Sequence, residues 1–142
     1  MSAGLNILIA DEPASAQQAA SLTELWGHRV KQAHDGLVAV EEARTWKPNL
    51  VLLGLSLPEL NGLGVARRLQ KLPGLDHVRL TALVQEGAAI PSRELKRAGF
   101  TDMLLKPIAP LELLMAVVRA RDAIHRAQQL TRSAREIVAR GK

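Results

Sequence analysis

A fourteen-residue run, Asn49 to Gly62 (NLVLLGLSLPELNG), constrains the fold more than any other part of this chain. From Leu50 to Gly54 every position is apolar or small, with no alternation, as in a strand covered on both faces of a parallel sheet. Pro58 cannot donate to a ladder, and Asn61-Gly62 marks a turn before a helix. Ligands of open α/β sheets gather just beyond the carboxyl ends of such strands. Gly54 stands at that place, and it offers no carboxylate, hydroxyl or thiol.

The flanking sequence predicts the rest of such a sheet. Leu5 to Ala10 reads as a first strand that ends on the acidic pair Asp11-Glu12. Pro13 suits a first helical turn, and a helix to Trp26 would bury Ala16, Ala19, Ala20, Leu22 and Leu25 before Gly27 ends it. Arg29 to Ala33 is a second strand, and Leu37 to Trp46 a second helix stopped by Pro48. A third helix covers Gly64 to Leu72, with Val65, Ala66 and Leu69 inward, and Pro73-Gly74 breaks it. His77 to Val84, Pro91 to Ala98 and Thr101 to Leu105 supply strand, helix and strand, and a last helix begins near Pro110. Five apolar strands alternating with five helices form the (βα)₅ pattern of a doubly wound α/β domain with a five-stranded parallel sheet. Right-handed crossovers then place helices on both faces and bring Asp11, Glu12, Gly54, Val84 and Lys106 to one rim. Trp26 and Trp46, each at a helix end, are expected to be partly buried packing residues.

With these motifs in place, the chain resembles the receiver domain of bacterial response regulators in two-component phosphorelay signalling. The resemblance spans about Leu5 to Arg121. It rests on Ile9-Ala10-Asp11-Glu12, the segment Leu57 to Gly62, the Ala98-Gly99-Phe100 step and Leu105-Lys106-Pro107. It implies a flavodoxin-like fold with strand order 2-1-3-4-5, a receiver at 1–124 and a basic helical extension of the last helix at 125–142. In that family two acids after the first strand help to hold a divalent ion, and an Asp ending the third strand accepts a phosphoryl group. A Ser or Thr after the fourth strand and a Lys ending the fifth contact the phosphoryl oxygens. Asp11, Glu12 and Lys106 match the acids and the Lys, and Ser56 falls where a backbone carbonyl would face the ion. Gly54 replaces the phosphoacceptor, Val84 the hydroxyl residue, and Met103 the aromatic switch. The expectation is therefore a pseudo-receiver whose Asp11, Glu12 and Lys106 are a vestigial pocket. A metal site is not expected beyond weak residual Mg²⁺ at Asp11 and Glu12, because the ion is short of a ligand. Ser56 is expected to be an ordinary loop serine and not a substitute acceptor. A cavity vacated at Gly54 is the basis of an alternative reading as a small-ligand sensor.

The chain carries no Cys, which excludes disulfides, thiolate metal sites and a cysteine nucleophile. His28, His34, His77 and His125 show no ligand spacing, and no phosphate-binding loop or nucleophile elbow is present, so no enzyme activity is expected. No run has the ~18–20 apolar residues of a membrane helix, and the N-terminus lacks a basic and apolar leader, so the expectation is a cytoplasmic protein with no membrane partner.

The net charge of +5 is confined to one end. Met1 to Val118 carries 12 Lys/Arg and 12 Asp/Glu, so the whole excess lies between Arg119 and Lys142. No Pro or Gly interrupts Leu111 to Arg140, which predicts one long helix of roughly 45 Å. Its row Val117, Ala120, Ile124, Ala127, Thr131, Ala134 and Val138 recurs at alternating steps of three and four, thickened by Leu130 and Ile137. That row is expected to mediate a homodimer or a partner contact. A protein partner is expected on the fourth helix, fifth strand and fifth helix, the surface the family uses, including Lys96, Arg97 and Met103. A nucleic-acid-associated regulator using the Arg-rich tail is the other alternative. The tail has no stacking aromatic and no recognisable DNA-reading unit, which argues against it.

Overall fold

The computed structural model describes residues 4–141. Met1 to Ala3 of the N-terminal reading and Lys142, the last cation of the extension, lie outside the described residues. The chain alternates β1 (Asn6–Ala10), α1 (Pro13–Leu25), β2 (Arg29–Ala33), α2 (Gly36–Trp46), β3 (Leu50–Gly54), α3 (Gly62–Gln70), β4 (Arg79–Gln85), α4 (Ser92–Ala98), β5 (Asp102–Lys106) and α5 (Pro110–Arg140). The five strands are parallel and stand in the order β2-β1-β3-β4-β5, as expected.

β3 lies in the middle and is buried at all five positions, which is why Leu and Val fill it without alternation. On one face Val51 and Leu53 pack with Val65, Ala66 and Leu69 of α3, Ala39 and Ala43 of α2, and Leu95 of α4. On the other, Leu50 and Leu52 pack with Ala16, Ala19 and Ala20 of α1 and with Leu113, Ala116 and Val117 of α5. The edge strand β2 alternates exposed and half-buried residues, with Arg29 and Lys31 outward, and charged side chains on an edge discourage pairing with another chain. Trp26 and Trp46 are half-buried against the two core faces, and the Lys31 ammonium lies 5.1 Å from the Trp46 ring centre.

Several element boundaries and inward positions differ from the sequence reading for local reasons. Leu25 is 79% exposed, and Thr23 takes the inward place, its hydroxyl donating to the Ala19 carbonyl at 2.8 Å. Asn61 is a cap and not a turn residue, for its side chain accepts from the Gly64 N–H at 2.9 Å and starts α3 two residues early. β4 begins at Arg79, after a turn closed by Val78 N–H on the Leu75 carbonyl. β5 runs one residue further than expected, because Lys106 still pairs in register with Gln85. α5 is one uninterrupted helix of 31 residues whose buried positions end at Ile124. Its remaining turns extend beyond the last core contact.

Candidate functional site

The carboxyl ends of β1, β3, β4 and β5 converge on a cavity of about 180 Å³. Asp11 follows β1, where its N–H continues the ladder onto the Ala33 carbonyl at 3.1 Å. The side chain then turns inward and is buried. Lys106, the last residue of β5, reaches across the rim and places its ammonium 3.1 Å from both Asp11 carboxylate oxygens. Both side chains are largely shielded from solvent, at 6% exposure for Asp11 and 14% for Lys106. A buried pair of this kind is held by mutual attraction and paired hydrogen bonds, and either partner alone would be an uncompensated charge.

Gly54 is the buried end of β3, directly beneath this pair. A Cβ built on Gly54 would come 2.8 Å from the Asp11 Cγ, and closer still to Oδ1. The Asp11 carboxylate thus fills the space that any side chain at position 54 would need. Val84 is buried and lines the outer part of the cavity.

The acidic pair divides. Asp11 enters the pocket, while Glu12, the residue before α1, is exposed at the cavity mouth, so Lys106 pairs with one carboxylate and not with both. Ser56 lines the mouth and is also exposed. Met103 is not part of the cavity and lies 46% exposed on β5. The residues present therefore give a divalent ion one buried carboxylate, already engaged by an ammonium. Mg²⁺ needs several oxygen ligands in near-octahedral array, and this donor set does not fit one. Among the described residues, no three His, Asp or Glu side chains come together as a metal site, and no helix is long and apolar enough to cross a membrane.

A relation invisible in sequence is that Asp11 and Gly54, 43 positions apart in number, compete for one volume. A glycine facing a buried carboxylate is its only sequence trace, and it becomes readable only once β1 and β3 are known to be neighbours.

Residues 7–118 match the response regulator receiver domain family. The chain is 34% identical over 115 residues to the DNA-binding response regulator MtrA of Mycolicibacterium smegmatis, covering 81% of this chain and 49% of that protein. It is 35% identical over 108 residues to the probable transcriptional regulator ycf27 of Porphyridium aerugineum, covering 75% and 44%. The chain thus spans about half the length of these curated relatives. Its fold is similar to the receiver domain of the sensor histidine kinase PA1611 from Pseudomonas aeruginosa PAO1, whose structure has a magnesium ion coordinated in its active-site cleft. The TM-score is 0.74 at 26% identity, over 82% of this chain and 97% of that one. The order of strands, the rim at their carboxyl ends and the match over most of its length place this chain in the response regulator receiver domain family.

Proposed function

We propose that this receiver transmits a signal by contact with a protein partner and is not switched by phosphorylation at the end of β3. The observation that carries this reading is the Asp11 carboxylate lying over Gly54 and held by Lys106. Position 54 has no group to phosphorylate, and the charge that Lys106 would offer a phosphoryl oxygen is already matched. Val84 offers no hydroxyl on the adjacent strand, and Met103 no aromatic ring. Divalent ions are expected to bind weakly or not at all, because their single buried ligand is engaged. The cavity of about 180 Å³ falls below the ~300–1,000 Å³ of small-molecule sites, which favours a filled site over a ligand sensor.

The partner surface in this reading is the one formed by α4, β5 and the first turns of α5. Met103, Leu105 and Met115 are 46%, 48% and 51% exposed there, flanked by the exposed cations Lys96 and Arg97. An apolar centre with a charged rim is the composition of a protein-docking surface.

The test is intact mass after incubation with Mg²⁺ and acetyl phosphate, for wild type and Gly54→Asp together. Wild type should gain nothing, and a phosphoryl adduct on it would overturn the reading. Gain in the variant would mean that Asp11 can leave Lys106 and the remaining site still works. No gain in either would mean that the ion pair holds the pocket closed even with an acceptor present.

A further inference from the structure

A cavity lies at the opposite end of the sheet from Gly54. It has a volume of about 710 Å³ and forms the corner where α5 leaves the body, between Asn6, Arg29 and Asn49 on one side and Arg121, His125 and Gln128 on the other. A second cavity of about 410 Å³ adjoins it at Gln128 and continues along Arg132 and Arg135 past His77. Arg121, His125, Gln128, Arg132 and Arg135 recur at steps of 4, 3, 4 and 3, so they form a single row on one flank of α5. All five are exposed, and the row spans about 21 Å. No acid interrupts it, and Asp122 is the one carboxylate that borders the first cavity.

Among the described residues, four arginines of this corner form no ion pair. Among the described residues the ion pairs are Lys31–Glu42, Arg44–Glu41, Lys106–Asp11 and Arg119–Asp102. Arg29, Arg121, Arg132 and Arg135 take no part in them. Arg29 donates to the Gly4 carbonyl at 3.1 Å and to the Asn6 side chain, both neutral acceptors. Beside them the His28 pKa is pushed below its ordinary value, first by burial and then by the charges of Arg121 and Arg29.

We propose that this strip, the basic flank of α5 together with the amino-terminal rim of the sheet, docks the phosphate backbone of duplex nucleic acid without regard to base sequence. A small anion would meet one or two of these guanidiniums. A rigid row of about 21 Å matches a polymer of repeated charge, about six base pairs of one duplex strand. Planar guanidinium groups suit phosphate oxygens, which they can engage in pairs. An acidic protein partner would call for an apolar or aromatic anchor at the centre of its surface, and the apolar residues that line this corner, Leu5 and Ile124, are already buried in the core. A flat lipid surface does not fit a concave corner, whereas the ridge of a duplex backbone does. The absence of stacking aromatics argues against reading bases or single strands, and backbone contact needs none.

The experiment is fluorescence anisotropy of a labelled mixed-sequence duplex of about 20 base pairs titrated with the full chain, at about 50 and 200 mM salt. With about four phosphate contacts, affinity should fall about 100-fold between those salts, independent of sequence. Arg121→Gln/Arg132→Gln/Arg135→Gln should flatten the log–log salt slope by about 3 units and weaken low-salt binding more than about tenfold. Arg67→Gln/Arg68→Gln/Lys71→Gln removes the same charge from exposed positions on and just after α3 and should keep the slope. Circular dichroism of both variants checks that the fold is kept. No binding at low salt would overturn the proposal, and so would equal loss in both variants. Tighter binding to phosphatidylserine vesicles than to duplex would also overturn it and assign the strip to membranes.

Discussion

At the scale of single residues, the site is decided by one missing side chain and one matched charge. Gly54 leaves a space, and the Asp11 carboxylate enters it because Lys106 is there to match the charge. Lys106→Met should therefore cost about 3 kcal/mol or more, since it strands a buried carboxylate. Asp11→Asn combined with Lys106→Met should recover most of that loss. Denaturant midpoints of the two variants check this, and equal destabilisation would mean that the pair is not a unit. His28 sets a pH dependence at the other end of the sheet. Its Nδ1 accepts from the Leu5 N–H at 2.9 Å, an arrangement that keeps this nitrogen unprotonated. Burial, then Arg121, then Arg29 lower its pKa below 6.5 in the folded chain. The unfolded chain binds the proton first, so this stability is complete above about pH 6.5 and is lost as pH falls through the lower folded value. The melting temperature should drop on acidification below pH 6.5, and His28→Gln should flatten that part of the curve. An unchanged curve would remove His28 from the account.

At the scale of elements, α5 differs from the other four helices. Its first four turns bury Leu113, Ala116, Val117, Ala120 and Ile124 against β4, β5 and α1, as an amphipathic helix must. Among the described residues beyond Ile124 none is buried, yet the apolar row continues, with Leu130, Ile137 and Val138 at 73%, 69% and 64% exposure. The row keeps Leu130 and Ile137 across the helix from Arg121 and Arg132, while Val138 shares a groove with Arg135. It predicts a homodimer in which two α5 extensions pair through Leu130 and Ile137, one heptad apart. The Ala127 and Ala134 neighbours bury little area, so the dimer should be weak, with dissociation in the micromolar range or above. Sedimentation equilibrium over a concentration series tests it. Leu130→Gln/Ile137→Gln should shift the protein to monomer, and an unaltered monomer–dimer curve would place any contact elsewhere.

At the scale of the whole molecule, the two ends of the sheet have different characters. The carboxyl-end rim has its buried charges paired, Asp11 with Lys106, while the amino-end corner carries cations that form no ion pair among the described residues. Much of the fold was legible in sequence. Short strand runs, Pro and Gly stops and the motifs at strand ends led to the (βα)₅ sheet, and β2 and β3 fall on the residues expected. Such features are local, written in neighbours that are also neighbours in space. Leu25 and Asn61 were misread because one turn of helix decides which side is inward or which residue caps, and that phase is set by the sheet beneath. The row from Arg121 to Arg135 was present in the sequence at 4-3 spacing. Its meaning depended on what stands opposite, and Arg29 and His77 come from β2 and the loop before β4. By itself the sequence determined the class of fold, the glycine at the end of the central strand and the placing of all excess charge between Arg119 and Lys142. Only the tertiary structure decided that Asp11 fills the space beside that glycine, that Glu12 stays out, and that the basic flank faces a concave corner. Those outcomes depend on contacts between residues far apart in the chain, whose distances no local pattern encodes.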